Sequence, residues 1–424
     1  MRITELKNYV QNGELDTKLE ELYGSEQTAA QKERYLSILN KAEKLYGDRE
    51  ASLFSAPGRT EVGGNHTDHQ LGKVLAASLN LDVLAVVIAT EDNVIRYASK
   101  GFEVAPVDIT DLSIHNDEAK TTEALIRGTA AGFAAAGYKT GGFCAYAESD
   151  VLPGSGMSSS AAFEVLLGTI LNHLYNDGAV SPEFVAKNGQ YAENVYFMKP
   201  CGLLDQMACS VGSFAAMDFA DPANPVVEKV DFDPADYGFD LILTDCKASH
   251  AELSHEYAAI PLEMKQVARL LGQEVLGRCT MEQLVANAAV IRKDCGDRAF
   301  LRAYHFLNET VRAEKEAKVL QERNIDAFLE LIKESGRSSW MYLQNVNVNG
   351  DDKNQSLGVG LALSEEVIGN SGAWRVHGGG FAGTIQAFVR HEDKERYIAV
   401  MNSVFGSDSC YVLKIRNCGG IRIA

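Results

Sequence analysis

The feature of this chain that most constrains its fold is a short glycine and serine loop that runs directly into an apolar helix. Residues 152–160 read LPGSGMSSS, and residues 161–177 read AAFEVLLGTILNHLYND, which has the spacing of a packed amphipathic helix. Small residues let a backbone curve tightly, and the amide groups and dipole at a helix start favour an anion. The pattern predicts a phosphate-binding loop, with a flexible loop that ends in a serine N-cap as the alternative.

Two common phosphate-loop motifs do not fit this segment. It has no lysine to match GxxxxGK[ST], and it lacks the third glycine of GxGxxG. The hydroxyl groups of residues 158–160 add hydrogen-bond donors and a possible ligand for a hard metal ion.

Length and charge limit the classes of function. The chain has 424 residues, of which 46% are hydrophobic, and its net charge is −18. Two domains are expected at this length. The acidic excess argues against nucleic acid and anionic membranes as partners. Because the N-terminus has no signal-peptide pattern, we expect a cytoplasmic protein whose eight cysteines are buried free thiols.

The pattern of apolar residues predicts a mixed α+β chain. One or two surface helices are expected before Gly47, and the middle of the chain alternates strands with helices. The main predicted elements are a strand at 83–90, helices at 121–136 and 161–177, strands within 214–246, helices from 251 to 335, a strand pair at 374–389, a helix at 392–403 and a last strand at 411–416.

A second segment, residues 56–72, reads APGRTEVGGNHTDHQLG and combines loop-forming glycines with varied polar groups. Fork-shaped donors beside carboxylate and amide groups suit a polyhydroxyl or phosphorylated ligand. A metal cluster and a purely structural turn are the alternatives. The polar side chains concerned are Arg59, Asn65, His66, Asp68 and His69.

Two more segments carry weaker signals. Asp205 interrupts an apolar stretch, so its carboxylate must be paired, functional or a helix cap. Residues 374–389 place several glycines before a strand, which indicates either close approach of a ligand or a bulged hairpin.

Taken in order, these segments resemble the GHMP kinase superfamily, and within it the galactokinases most closely. The sugar loop of that family reads approximately GRVNLIGEHTDYNGG and is similar to residues 58–72. Its PxGxGLSSSA loop resembles residues 153–161, and its AEN…CGIMDQ resembles residues 192–206. Weaker echoes of HSLASSEY, SHRSLRDDY and MTGGGFGG lie at 250–257, 334–346 and 376–383.

The resemblance implies an α+β fold of two domains, with ATP and a sugar bound between them. The N-terminal domain would resemble domain 2 of ribosomal protein S5, and the C-terminal domain would be ferredoxin-like. The implied divisions are a helical extension at 1–48, an N-terminal domain at 49–235 and a C-terminal domain at 236–424. The oligomeric state would be a monomer or a homodimer.

The resemblance also implies a role for each matching residue. Asp205 would be the catalytic carboxylate and Arg59 its partner. Ser160, or its neighbour Ser159, and Glu193 would hold Mg²⁺. The residues expected to bind the phosphates of ATP are Gly154, Ser155, Gly156, Met157, Ser158, Ser159 and Ser160. Those expected to contact the sugar are Asn65, His66, Asp68, Tyr257 and Gly379.

Three departures from the family motif bear on the substrate. Asn65 stands where the family has glutamate, His69 where it has tyrosine, and Gln70-Leu71 where it has Asn-Gly. Losing a carboxylate would suit an anionic sugar, and HTDHQ also resembles the HIDHQ of galacturonate kinases. On overall similarity to the galactokinases, we predict an ATP-dependent galactose 1-kinase. The alternatives are a kinase for galacturonate or another pyranose, and a non-catalytic sensor of sugar and ATP.

Overall fold

The computed structural model describes residues 1–151, 156–248 and 253–424, with Glu103 described by its backbone alone. The helices are α1 (Ile3–Gln11), α2 (Asp16–Tyr23), α3 (Thr28–Tyr46), α4 (Thr122–Ala135), α5 (Ser159–Tyr175), α6 (Pro182–Tyr191), α7 (Leu204–Val211), α8 (Ser254–Leu270), α9 (Met281–Ala286), α10 (Ala288–Asp294), α11 (Asp297–Gln321), α12 (Ile325–Ser338), α13 (Ser356–Ile368) and α14 (Lys394–Phe405). The strands are β1 (Ser52–Gly63), β2 (Lys73–Ala89), β3 (Val94–Ser99), β4 (Phe102–Glu103), β5 (Val107–Asp108), β6 (Phe143–Ser149), β7 (Phe214–Asp218), β8 (Val226–Val230), β9 (Phe239–Ala248), β10 (Ala373–Val376), β11 (Gly383–Arg390), β12 (Cys410–Leu413) and β13 (Ile421–Arg422).

The larger sheet is centred on a long hairpin of β1 and β2. Its strand order is β13-β1-β2-β6-β3-β4, with β5 beside β3 and with β7 and β8 continuing from β2. The pairs are antiparallel except for β3 and β6. The hairpin runs from the pair Ser52 and Val87 to the pair Gly63 and Leu75, so residues 64–72 form its tip. Placing the 56–72 segment at the end of a rigid hairpin fixes the position of its polar side chains.

Both faces of the larger sheet are covered. Helices α4 to α7 lie on one face, where Phe54, Leu75 and Ala85 belong to the main hydrophobic core. On the other face α1 to α3 pack over Leu53 and Val86. The sequence predicts one or two surface helices here, whereas the structure has three, which share a core with the sheet because this sheet face is itself apolar.

Strand β2 is longer than the stretch 83–90 predicted from its apolar run. Polar residues precede that run, and one of them, Asp82, is completely buried. Its carboxylate is bonded to Arg34 Nη1 at 2.7 Å and to Tyr23 Oη at 2.6 Å, both from the N-terminal helices, and lies 3.3 Å from Arg416 Nη1. In the sequence, Asp82 resembles the end of a strand. The strand nevertheless continues through it, because these partners satisfy the buried charge of its carboxylate.

The smaller sheet has four antiparallel strands in the order β10-β11-β9-β12. Helices α13 and α14 cover one face, and Phe328 of α12 packs edge-on against Phe388 on the other. The first sheet meets this region where Val62 of β1 accepts hydrogen bonds from Arg375 at 2.5 Å and Gln386 at 3.3 Å. Strand β13 then returns to pair with β1. Two sheets, each with its own helices, confirm the α+β prediction.

Most predicted elements are present with small shifts of their ends. Helices α4, α5 and α14 and strands β9 to β12 lie where the pattern places them. All eight cysteines lie in described residues and are free, but only Cys144, Cys209, Cys246 and Cys279 are buried. None of the helices in the described ranges combines the length and apolar composition that crossing a membrane requires.

Candidate active site

The described end of the glycine and serine loop lies directly against β1. The amide of Arg59 donates to the carbonyl oxygen of Met157 at 3.1 Å. A side chain at Gly58 would put its Cβ 2.8 Å from that oxygen, so only glycine allows this approach. Gly154 and Ser155 lie outside the described residues. The loop and the strand therefore form one unit at the start of α5.

Arg59 and Asp205 form the ion pair at the centre of the site. Nε and Nη2 of Arg59 each lie 2.7 Å from the same oxygen, Oδ1 of Asp205, and Nη1 donates to the carbonyl oxygen of Gly156. Ser158, whose φ is +57°, donates its hydroxyl to Oδ2. Asp205 lies in the first turn of α7, and its bonds are to side chains of two other elements, so it acts as more than a helix cap.

The charges around Asp205 keep its carboxylate ionised. Burial alone would raise the pKa of Asp205, but the charges of Arg59 and His66 and the hydrogen bond from Ser158 lower it below its usual range. The side chain keeps 29% of its surface exposed, against 4% for Arg59. The Asp205 carboxylate is therefore an ionised hydrogen-bond acceptor that remains accessible to solvent, beside the start of α5.

Two further carboxylates, Glu193 and Glu164, lie beside this pair and are deeply buried. Glu193 follows α6 in a π-helical turn, Ala192–Tyr196, and Glu164 is one turn after Ser160 on α5. The Nε2 amide of Gln206 donates to both carboxylates, at 3.1 and 2.9 Å. Oε1 of Glu164 and Oε1 of Gln206 are buried without a hydrogen-bond partner among the described residues.

This arrangement fits a magnesium ion that is bound mainly by phosphate. Mg²⁺ takes oxygen ligands and commonly uses one or two carboxylates together with substrate phosphates. Within the described ranges, no group of three or more histidine, cysteine, aspartate or glutamate side chains is arranged to hold a metal. The chain offers the Glu193 carboxylate, the exposed Ser160 hydroxyl and the unpartnered oxygens beneath them.

The tip of the β1–β2 hairpin brings His66 between two carboxylates. Its Nε2 is 3.8 Å from Glu61 and its Nδ1 is 3.9 Å from Asp68. Burial would lower the pKa of His66, but the charges of Glu61, Asp205 and Asp68 raise it above its usual value. For Asp68, burial raises the pKa to about 6, helped by Asp205 and Glu61 and opposed by His66.

Asn65 is held by a residue distant in sequence. It has a φ of +43°, is buried, and its Oδ1 accepts a hydrogen bond from Ser339 Oγ at 2.7 Å. Its Nδ2 has no hydrogen-bond partner among the described residues, so it is a free donor at the hairpin tip.

The two neighbouring departures from the family motif serve the local structure. His69 bonds through Nδ1 to the carbonyl oxygen of His66, and burial lowers the pKa of His69 to about 4, which keeps it neutral. Gln70 accepts from the amide of Leu276 at 3.1 Å. These contacts do not form the metal cluster considered for this segment.

The glycine-rich turn after β10 joins the predicted sugar contact Tyr257. The Tyr257 hydroxyl donates to the carbonyl oxygen of Gly380 at 2.8 Å, and its ring meets Phe381 edge-on at 5.4 Å. A Cβ at Gly379 would lie 2.9 Å from the Tyr257 ring. The structure thus brings Tyr257 and Gly379 together. The segment is also a hairpin of β10 and β11, and its register shift, at Gly383 and Thr384, lies in the pairing of β11 with β9.

Several side chains of the site were not predicted, among them Ser339, Lys199, Glu164 and His377. Ser339 and Lys199 carry no distinctive sequence signal. The other two stand out in their surroundings, because Glu164 is the one acidic residue in an apolar helix and His377 precedes three glycines. His377 is buried behind Arg59 and accepts from the amide of Glu61 at 3.4 Å. Burial, and after it the charges of Arg59 and Arg375, lower its pKa well below the usual range.

Comparison with known proteins gives consistent results. The galactokinase galactose-binding signature matches residues 43–88, and the GHMP kinase N-terminal domain matches residues 124–213. A galactokinase of Lacticaseibacillus paracasei is 30% identical over 360 residues, which cover 83% of this chain and 89% of that protein. One from Streptomyces coelicolor is 29% identical over 351 residues, or 82% and 86% of the two chains.

Solved structures agree on the fold. The crystal structure of Lactococcus lactis galactokinase complexed with galactose superposes with a TM-score of 0.77 at 23% identity, covering 90% of this chain and 98% of that one. A mevalonate kinase superposes with a TM-score of 0.58 at 12% identity, over 86% and 98% of the two chains. The predicted two-domain GHMP kinase fold is confirmed. The chain belongs to the galactokinase family of the GHMP kinases and is a sugar kinase.

Proposed function

We propose that this protein transfers the γ-phosphoryl group of ATP to the anomeric hydroxyl of galactose. The observation that carries the proposal is the Arg59–Asp205 ion pair, which is fixed to the end of the glycine and serine loop and whose arginine lies within the matched galactose-binding signature. The proposed phosphate loop, an ionised carboxylate and a polar hairpin tip lie together, and these are the groups that sugar phosphorylation requires.

In this proposal Asp205 orients the attacking hydroxyl. The lowered pKa of Asp205 makes it a weak base, so it accepts a hydrogen bond and takes the proton late in the reaction. A late proton transfer agrees with the loose transition state of phosphoryl transfer, where positioning and charge neutralisation matter most. Arg59 fixes the carboxylate through Oδ1 and brings positive charge to the transferred group.

Residues Gly154 to Ser160 would bind the phosphates of ATP, and Ser160 and Glu193 would hold Mg²⁺. The metal ion supplies charge neutralisation between the phosphates when it is bound. The position of Ser160 in the first turn of α5, exposed to solvent, supports its role. The nearly complete burial of Glu193 keeps its carboxylate fixed for one ligand site.

Asn65, His66, Asp68, Tyr257 and Gly379 would contact the sugar. The free Nδ2 of Asn65 is a hydrogen-bond donor, and a donor can serve either a neutral hydroxyl or a carboxylate. Galactose is favoured over galacturonate because the matched family signature and the curated relatives are those of galactokinases.

The test is an assay of the purified protein with Mg·ATP against galactose, galacturonate, glucuronate, arabinose and N-acetylgalactosamine. We expect galactose to give the highest kcat/KM. Asp205→Ala and Arg59→Ala should each abolish turnover while ATP binding persists. A higher kcat/KM for galacturonate, or nearly unchanged turnover in both variants, would overturn the proposal.

A further inference from the structure

Lys199 is the cationic partner of the buried carboxylates beside the active site. Its Nζ lies 2.9 Å from Oε1 of Glu193, and 59% of its side chain is exposed against 4% for Glu193. The backbone brings it there, because Met198 has a φ of +61° and the amide of Lys199 donates to the carbonyl oxygen of Glu193 at 3.1 Å. The lysine stem thus reaches from solvent to a fixed carboxylate.

The two buried carboxylates, Glu193 and Glu164, have few hydrogen-bond donors around them, so Glu193 can accept a cation such as Lys199. The amide of Gln206 is shared between Glu193 and Glu164, and Oε1 of Glu164 has no partner among the described residues. Arg59 cannot serve here, because its nitrogens are directed to Asp205 and Gly156. In the described structure Lys199 is therefore the cation that contacts Glu193.

We propose that Lys199 is a mobile counter-ion that exchanges Glu193 for a phosphate oxygen of the bound nucleotide. This inference rests on the proposed function in placing Mg·ATP at Glu193. The Oε1 atom that Lys199 now contacts is an oxygen that a metal ion would take, and two cations at one oxygen repel each other. The long exposed side chain of Lys199 can release Glu193 by rotating about its own bonds. The proposed phosphate site is near, because Glu193 shares Gln206 with Glu164, which lies one turn of α5 from Ser160.

Two binding titrations without sugar test the exchange. Mn²⁺, followed by its electron paramagnetic resonance signal, reports the metal site of the nucleotide-free protein. ATP in the presence of EDTA, followed by calorimetry, reports the contact with phosphate. Lys199→Met should bind Mn²⁺ about tenfold tighter, because the competing charge is gone, and metal-free ATP about tenfold more weakly.

The controls separate charge from position and from folding. Lys199→Arg keeps the charge and should remain within about threefold of the wild type in both titrations. Lys139→Met removes an exposed lysine that follows α4 and should change neither titration. Circular dichroism melting should show Lys199→Met folded, since its side chain is mostly exposed.

The outcomes are distinguishable from those of the sugar assay. Unchanged affinity of Lys199→Met in either titration overturns the exchange, whichever sugar the wild type phosphorylates. If the wild type fails to phosphorylate galactose while both titrations shift as expected, the galactose assignment fails and the exchange stands.

Discussion

The hydroxyl group of Ser158 donates a hydrogen bond to Oδ2 of Asp205, so the proposed phosphate-binding loop and the proposed catalytic carboxylate are joined side chain to side chain. Ser158 reaches this position because its φ is +57°, a left-handed conformation that costs free energy for a residue other than glycine. In the proposed mechanism, the loop that binds nucleotide thereby sets the position of the group that orients the sugar.

Removing this hydroxyl should lower kcat more than it changes the affinity for ATP. A hydrogen bond to a charged group contributes about 1.5–3 kcal/mol, so we expect Ser158→Ala to lose roughly tenfold or more in kcat. Ser158→Gly is the matched variant, because it also loses the hydroxyl but relieves the left-handed backbone. Steady-state kinetics of both should show the same loss. A Ser158→Gly enzyme with wild-type kcat would show that backbone strain, and not the hydroxyl, matters.

Activity should fall in mild acid because of Asp68. Burial raises the pKa of this carboxyl group to about 6, so it is ionised above that pH and protonated below it. A protonated carboxyl group is a weaker acceptor for a sugar hydroxyl, and kcat/KM for galactose should therefore decline as the pH falls through about 6. The measurement is kcat/KM between pH 5 and 8. In Asp68→Asn this decline should disappear, and its persistence would assign the titration to another group.

The hydrogen bond from Ser339 to Asn65 predicts a specific effect on sugar binding. Ser339→Ala would leave Oδ1 of a buried amide without a partner, at a cost of about 1–3 kcal/mol. We expect the KM for galactose to rise several-fold or more, with the KM for ATP nearly unchanged. Ser364→Ala is the control, because Ser364 is equally buried and bonds to Gly360 and Tyr397 in the C-terminal half. An equal rise of the KM for galactose in Ser339→Ala and Ser364→Ala would indicate a general loss of stability.

The residues of the candidate site can be proposed from the sequence more readily than the contacts between them. Arg59 and Asp205 stand in segments whose residue types already indicate their chemistry, and the apolar periodicity of α5 locates the proposed phosphate loop. Ser339 and Lys199 are ordinary residues whose roles arise only when distant or irregular segments meet, and periodicity carries no information on such contacts. The left-handed φ values at Asn65 and Ser158 are likewise set by tertiary structure.

The N-terminal helices show the same limit on a larger scale. Their helical pattern is evident in the sequence, but their number and their attachment to the sheet are not. The apolar outer face of the sheet and the buried charge of Asp82 together determine where they lie. Neither signal is recognisable until strand β2 is known to extend through Asp82.

The last prediction concerns this attachment, and it compares two carboxylate–arginine pairs. Asp82→Ala would leave the completely buried Arg416 without its carboxylate partner, which we expect to lower the free energy of unfolding by about 3–5 kcal/mol. Asp92→Ala breaks the exposed pair with Arg96 and should cost less than about 1 kcal/mol. Urea denaturation of both variants measures the difference.

A third variant keeps this comparison informative if Asp82→Ala cannot be purified. Arg34→Met removes the arginine that α3 provides to Asp82, a side chain that is 12% exposed. Asp82 then keeps Arg416, Tyr23 and Ser55 as partners. Its loss of stability should lie between those of the other two variants, because the buried carboxylate keeps several of its hydrogen bonds. If Arg34→Met were as stable as Asp92→Ala, the ion pair from α3 would contribute nothing to holding the N-terminal helices on the sheet.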